Sequence, residues 1–488
     1  MLTTETHPPM NGFSIQVLQH ARFATLLCLA IFANFMVVAG HDHQRLVEIG
    51  TVLLGGAFVL LQRRGTMPGV FRGSAGIALA IFFVLGICSA ALAFTPRFAM
   101  FEVANFFLLY LLASAVATEV AGNGQTSFLT AIRALAFACA PYVFLFIVAY
   151  FGGLSLGIPL ALDDFTTNFS NIRFFNHAQT STLPLLILLC CLTPKTSKLR
   201  WLWLVVTTYW WMALFATMGR GTLLGMAAGW VAAAVLTRQS GASYLRGGML
   251  TAALGWFAYF LLLTVVPALL GVAGMHSFTF AVERTVADPT SARWPLWHLA
   301  EALIAEHPWL GVGPMHFAHY TGHLHIAAHP HDWLLQIGAE WGLPALLCLL
   351  VAVALGGRAL LRAGARIERD DVTNHAIFAA LVVGAVAILV DGLVSGIFVM
   401  PQSQLAVALY LGCAMGWQRS IIPAVPTAAP SGTWRVAGMV CIVAAMAGVI
   451  AGAWPQALAK LRNEELTPAE QALNTGDQWP RLWKAGHF

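Results

Sequence analysis

The segment 376–397 reads AIFAALVVGAVAILVDGLVSGI and contains a single charged residue, Asp391. A run of about 20 mainly apolar residues is long enough to cross a lipid bilayer as an α-helix. Similar runs recur along the 488 residues, of which 59% are hydrophobic and 10% charged, with a mean hydropathy of +0.75. Ordinary soluble domains carry about 25% charged residues. We therefore expect an all-α, polytopic integral membrane bundle.

Thirteen apolar segments of this kind are separated by short polar stretches, and each fits a transmembrane helix. Joining the neighbouring runs 376–397 and 402–418 would reduce the number to twelve and would move the C-terminal tail to the cytoplasm, while the large polar loop would keep its side. The run at 23–40 is long enough to cross the bilayer and no small-residue cleavage site follows it, so it is expected to be the first span. The predicted segments are 23–40, 46–61, 75–94, 99–118, 128–151, 180–193, 201–218, 221–237, 249–271, 344–357, 376–397, 402–418 and 435–454.

The distribution of Lys and Arg among the loops predicts the side of the membrane that each loop occupies. Basic residues gather in alternate loops, and the opposite short loops contain few of them. Because basic loops remain in the cytoplasm, the large polar loop 272–343 and the C-terminal tail are expected in the periplasm, outside a bacterial inner membrane. The formal charge of +5 is dispersed over the basic loops, so no nucleic-acid partner is expected. These loops contain Arg63, Arg64, Arg72, Lys195, Lys198, Arg200, Arg238, Arg246, Arg358, Arg362, Arg366, Arg369 and Arg419.

The polar insert between Gly271 and Pro344 holds nine of the sixteen histidines. A membrane protein that gathers its titratable side chains in one extramembrane stretch is expected to carry its chemistry there. All eight cysteines fall inside apolar runs, which argues against a disulfide framework or a thiolate metal site. Imidazole pairs can bind zinc or copper, and a metal is the alternative interpretation, but their spacing matches no helical metal motif and no cofactor is expected. The pairs are His316 with His319, His323 with His325, and His329 with His331.

Three arginines, Arg173, Arg220 and Arg293, are predicted to share the periplasmic level. A guanidinium group in or beside a span is costly unless it has a partner or a water-filled cavity. Each arginine could be an anchoring ion pair. If they converge, they could bind a diphosphate, which guanidinium groups grip in a bidentate manner. Asp391 is expected either to pair with an arginine or to mark a proton path.

Other motifs indicate structure rather than chemistry. Glycine recurs at every fourth position from Gly221 to Gly229, a spacing that lets two helices approach closely. The stretch from Trp294 to Glu306 fits an amphipathic helix on the membrane surface. Gly311–Pro314 lacks the lysine and the preceding strand of a phosphate-binding loop, so it is interpreted as a turn. Thr467–Glu470 has the form of a capping box at the start of a short helix in the tail.

Three sequence blocks, in this order, resemble the O-antigen ligase superfamily of bacterial membrane proteins. Residues 218–224, MGRGTLL, are similar to the family's block at the start of its signature domain. Residues 293–313 contain R-x-x-x-W followed by EHPWLGVG, which resembles the second block. Residues 329–343, HPHDWLLQIGAEWGL, are similar to the third, except that Asp332 stands where the family usually has asparagine. The resemblance covers roughly residues 215–415.

The resemblance implies a metal-independent glycosyltransferase that moves a preassembled glycan from undecaprenyl diphosphate to an acceptor hydroxyl in the periplasm. It divides the chain into the N-terminal spans 1–200, a signature region 201–418 that includes the loop 272–343, and the last span with a short periplasmic tail, 419–488. A neutral imidazole can accept the hydroxyl proton, and cationic side chains can stabilise the leaving diphosphate. The expected base is His331, the expected diphosphate ligands are Arg220, Arg293 and Arg173, and the second-rank candidates are His329, Asp332 and Glu340.

The resemblance leaves the acceptor open. Lipid A-core, the preferred acceptor, would make the chain an O-antigen ligase. A pilin-like serine or threonine would make it a protein O-oligosaccharyltransferase, and a growing glycan would make it an O-antigen polymerase. A secondary transporter is the alternative from a different class, although no convincing repeat relates the two halves of the chain. A histidine-based metal sensor or permease is a third.

Overall fold

The computed structural model describes residues 21–38, 40–61, 71, 73–287, 293–321, 327–422 and 432–462. These residues form helices and connecting turns, and no strand occurs among them. The tail helix predicted near Thr467 lies outside the described residues, as do His323 and His325.

All thirteen predicted segments coincide with helices, and two of them, 128–151 and 249–271, each coincide with two successive α-helices. Short π-helical stretches, Ala33–Val37 and Tyr259–Val265, continue two of the spans. The α-helices are α1 Arg22–Phe32, α2 His41–Leu61, α3 Gly73–Leu92, α4 Pro96–Asn123, α5 Gln125–Cys139, α6 Pro141–Leu156, α7 Ile172–Leu192, α8 Leu199–Thr217, α9 Arg220–Thr237, α10 Ala242–Ala258, α11 Val266–Leu269, α12 Ser277–Ala287, α13 Trp294–Glu306, α14 Phe317–Tyr320, α15 Trp333–Trp341, α16 Leu343–Gly364, α17 Val372–Gly392, α18 Pro401–Ile421 and α19 Gly432–Leu461.

Within the described ranges, ten helices are long and apolar enough to cross a membrane. The stretch Arg22–Val37 is a shorter apolar helix. Helices α8 and α18 also have the length of a span and pack inside the same bundle; α8 contains four Trp and three Thr residues, and α18 contains three Gln residues. The structure therefore confirms the predicted all-α, polytopic membrane fold.

Close glycine contacts fix the directions of the helices around α4. Helix α18 runs parallel to α4, because Gly412 and Gly416 lie against successive turns of α4. Helix α19 runs antiparallel to it, and Gly452 near its end packs against the first turns of α4. The backbone N–H of Thr95, which precedes α4, donates a hydrogen bond to His316 of the insert at 2.8 Å. The starts of α4 and α18, the end of α19 and the insert therefore lie at one end of the bundle, which we call the insert end.

The glycine ridge of α9 packs directly on α17, as its spacing predicts. A Cβ atom at Gly225 would lie 2.7 Å from the carbonyl oxygen of Ala387, and one at Gly229 would lie 2.6 Å from that of Val383. The absence of side chains lets the two antiparallel backbones touch. This contact holds the first residues of α9 against the end of α17, where Asp391 is located.

We predict that Gly225→Ala separates α9 from α17 and lowers stability by about 1–3 kcal/mol, because backbone atoms, unlike a side-chain tip, cannot move aside. Gly356→Ala in α16 is the matched control, since nothing lies within 4 Å of a Cβ atom there. Thermal unfolding in detergent should show a lower Tm for Gly225→Ala alone. Equal Tm values for the two variants would contradict the proposed close packing.

Candidate functional site

Hydrogen bonds of the residues on either side of His331, Pro330 and Asp332, fix the backbone of this segment. Asp332 is the N-cap of α15, and its Oδ1 accepts hydrogen bonds at 2.8 and 3.0 Å from two backbone N–H groups of the first turn. The indole N–H of Trp297, on α13, donates to the carbonyl oxygen of Pro330 at 3.0 Å. His331 itself has a φ of +57°, a conformation that a residue with a Cβ atom adopts only where its surroundings impose it. The backbone thus sets the direction of the imidazole.

The imidazole of His331 is half-buried and lies against that of His329, with ring centroids 4.0 Å apart. The backbone N–H of His331 donates to Nδ1 of His329 at 3.2 Å. His329 is buried, and it packs so closely on Gly396 that a Cβ atom there would lie 2.7 Å from its ring. Burial, and to a smaller extent the positive charge of Arg293, lowers the pKa of His331 from 6.5 to about 3. Its imidazole is therefore neutral at physiological pH.

The three predicted arginines all lie at helix N-termini. Arg173 is the second residue of α7, Arg220 is the first residue of α9, and Arg293 is the N-cap of α13. In these three fully described helices, the first turn contains no acidic residue. A helix N-terminus carries partial positive charge and favours anions, so an arginine there is electrostatically unfavourable unless an anion is nearby. The three helices therefore place guanidinium groups at ends that already carry partial positive charge.

A buried polar contact joins α7, α9 and α17 beside these arginines. The hydroxyl of Thr180 donates to Oδ2 of Asp391 at 2.6 Å and lies 2.8 Å from the hydroxyl of Thr222. Gly221 is so close to Asp391 that a Cβ atom would overlap the carboxylate. Arg293 interacts electrostatically with Asp391, as it does with His331. Asp391 therefore faces the site under the electrostatic influence of Arg293, and both predicted roles, pairing with an arginine and marking a proton path, stay predictions.

The arginines contribute differently. Arg293 is central, because it acts electrostatically on both His331 and Asp391. Nη1 of Arg173 donates to the carbonyl oxygen of Thr217, the last residue of α8, at 3.2 Å and to that of Met218, its C-cap, at 3.0 Å. Arg173 therefore holds the end of that helix. Arg220 is half-buried and precedes Gly221, which places its backbone next to Asp391. The structure brings His331, Arg293 and Asp391 together and puts the start of α9 at their side.

Two of the second-rank candidates have structural contacts. Asp332 caps α15, and although burial raises the pKa of its carboxyl group, the capping hydrogen bonds oppose that rise. Glu340 is fully buried, and its Oε1 accepts from the backbone N–H of Phe317 at 3.1 Å, which ties α14 to α15. These bonds shape the insert, and the chemical roles predicted for both residues stay predictions.

The glycine-rich stretch after α13 forms the predicted turn. The backbone N–H groups of Val312 and Gly313 donate to the carbonyl oxygens of Ala339 and Glu340 at 2.9 and 3.0 Å. Gly311 has a φ of +65°, and a Cβ atom there would lie 2.5–2.6 Å from the backbone of the same two residues. The turn clamps the last turn of α15, so its glycines serve packing rather than phosphate binding.

The remaining described histidine pair of the insert also has structural contacts. Nδ1 of His316 lies 2.9 Å from the carbonyl oxygen of Pro314, while its Nε2 accepts from Thr95. The ring of His319 stacks on Phe94 with centroids 4.3 Å apart. In the part of the chain that the structure describes, no group of three or more His, Cys, Asp or Glu residues could hold a metal ion.

A buried ion pair, which supports the site behind His329, was not recognised from the sequence. Arg45 and Glu48 of α2 pair with each other, and Arg45 also donates to the carbonyl oxygen of Val399 at 2.5 Å and to Gln404 at 2.6 Å. These bonds hold the turn between α17 and α18, the turn on which His329 packs through Gly396. The i, i+3 spacing of two opposite charges at the start of an apolar run was the available signal.

Comparison with known protein families gives one finding. The family model described as O-antigen ligase matches residues 202–350, which confirms the predicted resemblance to the O-antigen ligase superfamily. The match contains Arg220, Arg293 and His331, whereas Arg173 and Asp391 lie on either side of it. Members of this family are glycosyl-transferring membrane enzymes. No curated protein matches the chain.

We predict that Asp332→Asn retains both stability and activity, because asparagine caps a helix as well as aspartate does. Asp332→Ala should lower stability by about 0.5–2 kcal/mol and loosen the backbone of His331. Thermal unfolding and glycan transfer, measured on both variants, check this. Loss of transfer in Asp332→Asn at an unchanged Tm would mean that the carboxylate has a chemical role.

Proposed function

We propose that this chain, whose residues 202–350 carry the domain of the O-antigen ligase family, transfers a preassembled glycan from undecaprenyl diphosphate to an acceptor hydroxyl. The observation that carries the proposal is a neutral imidazole, that of His331, under the electrostatic influence of Arg293 at the N-terminus of α13. The N-termini of α7 and α9, which bear Arg173 and Arg220, adjoin this pair through His177 and Asp391. The arginines at helix N-termini suit a diphosphate, and the neutral imidazole suits a hydroxyl that must lose its proton.

The charges of the site favour a bound anion. The site contains three guanidinium groups, from Arg173, Arg220 and Arg293, and the carboxylate of Asp391. The carboxylate of Asp332 caps the N-terminus of its own helix. No side chain caps the N-terminus of α9 or of α13 in the structure as described. Guanidinium groups and helix dipoles therefore contribute positive charge to the same region of the described structure. A diphosphate is an anion that such a region would favour.

The chemistry needs one base and a stabilised leaving group. The acceptor oxygen bonds to the anomeric carbon of the glycan while the bond from that carbon to the diphosphate oxygen breaks. The hydroxyl proton passes to the neutral imidazole of His331, and the leaving diphosphate keeps the bonding electron pair. Arg220 and Arg293 stabilise the charge that develops on it. The diphosphate is a good enough leaving group, once paired with cations, that no acidic residue has to protonate it.

The placement of the residues supports an acceptor that approaches from outside the bilayer. His331 and Arg293 belong to the insert, at the insert end of the bundle, and the predicted topology puts this end in the periplasm. Exposed Trp294 and Trp309 on the same insert suit the membrane interface, where a lipid-linked donor and an amphipathic acceptor meet. Lipid A-core is such an acceptor, and we propose it as the physiological one.

Reconstitution tests the proposed reaction. Purified protein with an undecaprenyl-diphosphate glycan and lipid A-core should form the conjugate equally with and without a chelator. His331→Ala should lower kcat by about 100-fold or more, which is the usual loss when a positioned base is removed. His298→Ala is the matched control, because His298 is exposed and contacts Glu301 on its own helix. Transfer to a pilin-like protein but not to lipid A-core would identify a protein as the acceptor. Solute uptake without transfer to any acceptor would refute the proposal.

The pH dependence of kcat/KM should report the lowered pKa of His331. Since the neutral form is the base, wild-type activity should stay flat as pH falls from 8 to 5 and decline only as pH approaches about 3. Arg293→Gln removes a positive neighbour, so the pKa of His331 should rise and the acid limb should move upward, while staying below 6.5 because burial remains. Arg220→Gln should lower activity without moving the limb. A wild-type limb near pH 6.5 would contradict the assignment.

A further inference from the structure

One histidine outside the residues assigned above lies within the same cluster. His177 of α7 is 5% exposed, and its Nδ1 is buried without a hydrogen-bond partner among the described residues. Native proteins satisfy most buried polar atoms, so such an atom needs an explanation. A bound ligand that supplies the missing partner is one.

The helical period directs His177 toward the site. Arg173, His177 and Thr180 are spaced i, i+4 and i+7, and therefore share one face of α7. Thr180, at the inner end of this face, donates to Asp391. The ring of Phe174 packs beside His177, with centroids 6.2 Å apart, and helps to hold it in place.

The surroundings of His177 indicate which kind of ligand it meets. It interacts electrostatically with His331, Arg173 and Arg293. Two of these groups are permanent cations, so the space around the imidazole attracts negative charge. A neutral imidazole carries one N–H donor, and the oxygens of a diphosphate are acceptors. A ligand hydroxyl would also satisfy the ring nitrogen, but it would gain nothing from the two guanidinium groups.

We propose that His177 is a further ligand of the donor, whose diphosphate accepts a hydrogen bond from Nδ1 while Arg173 and Arg293 neutralise its charge. This inference rests on the proposed glycosyl transfer and deepens it, since it separates the donor side of the site from the acceptor side. His331 meets the acceptor hydroxyl, and His177 meets the leaving group.

Three substitutions of His177 distinguish the contribution of its ring nitrogens from that of its ring size. His177→Phe keeps an aromatic ring and removes both nitrogens. His177→Asn places an amide N–H near the position of Nδ1, whereas His177→Gln places it near that of Nε2. His319→Phe is the matched control, because the same change preserves the stack on Phe94.

The measured quantities are the KM values for donor and acceptor and the inhibition constant of undecaprenyl diphosphate, the product that carries the diphosphate without the glycan. His177→Phe should raise the donor KM and the inhibition constant by about tenfold to hundredfold, as expected for a lost hydrogen bond to a charged group. The acceptor KM should stay unchanged. His177→Asn should retain more of the affinity than His177→Gln, and this comparison holds even if His177→Phe fails to fold.

Each other outcome has a definite meaning. Unchanged inhibition by undecaprenyl diphosphate in folded His177→Phe would overturn the inference and leave the proposed function standing. A raised acceptor KM with an unchanged inhibition constant would also overturn it, by assigning His177 to the acceptor side. If wild-type protein neither transfers the glycan nor binds undecaprenyl diphosphate, the proposed function itself fails.

Discussion

Positive charge at the N-termini of three helices is the constraint on which the site depends. Arg173, Arg220 and Arg293 each occupy a position where helices usually carry an acidic or a small polar residue. An arginine in such a position costs the favourable dipole interaction that an acidic residue would give there, and it favours a bound anion. Evolution commonly tolerates such a cost at a binding site, because the residues that bind best are not those that stabilise best.

The rest of the bundle keeps these termini together. The glycines of α9 bring its start against Asp391, and the clamp between the turn at Gly311–Gly313 and the last turn of α15 fixes the segment that carries His331. The ion pair of Arg45 and Glu48 holds the turn behind His329. A buried pair of this kind adds little net stability, but removal of one partner is expensive, so it defines geometry more than it strengthens the fold.

The sequence predicted the membrane fold well, because apolar runs of sufficient length have few alternatives in a bilayer. All thirteen segments became helices. The arginines and His331 were selected through short motifs and the predicted side of the membrane, and their roles stay predictions. His177 and Asp391 were harder, since a single polar residue in an apolar run does not reveal which neighbour it faces. The contacts of Asp332 and Glu340 required the backbone of the insert. Such contacts depend on residues far apart in the chain, as with Arg45 and Gln404.

In the proposed reaction, one cluster of cations would serve both halves of the transfer. Burial, and to a smaller extent the positive charge of Arg293, disfavours protonation of His331, so the proposed base remains neutral. For the same reason a protonated His331 would be acidic and would release its proton readily to water once the product has formed. A lysine or a metal ion would bind the diphosphate too, but a lysine can itself lose its proton when buried, whereas a guanidinium group keeps its charge. In the proposed reaction, arginine at each helix start would therefore keep the anion site positive while His331 accepts a proton beside it.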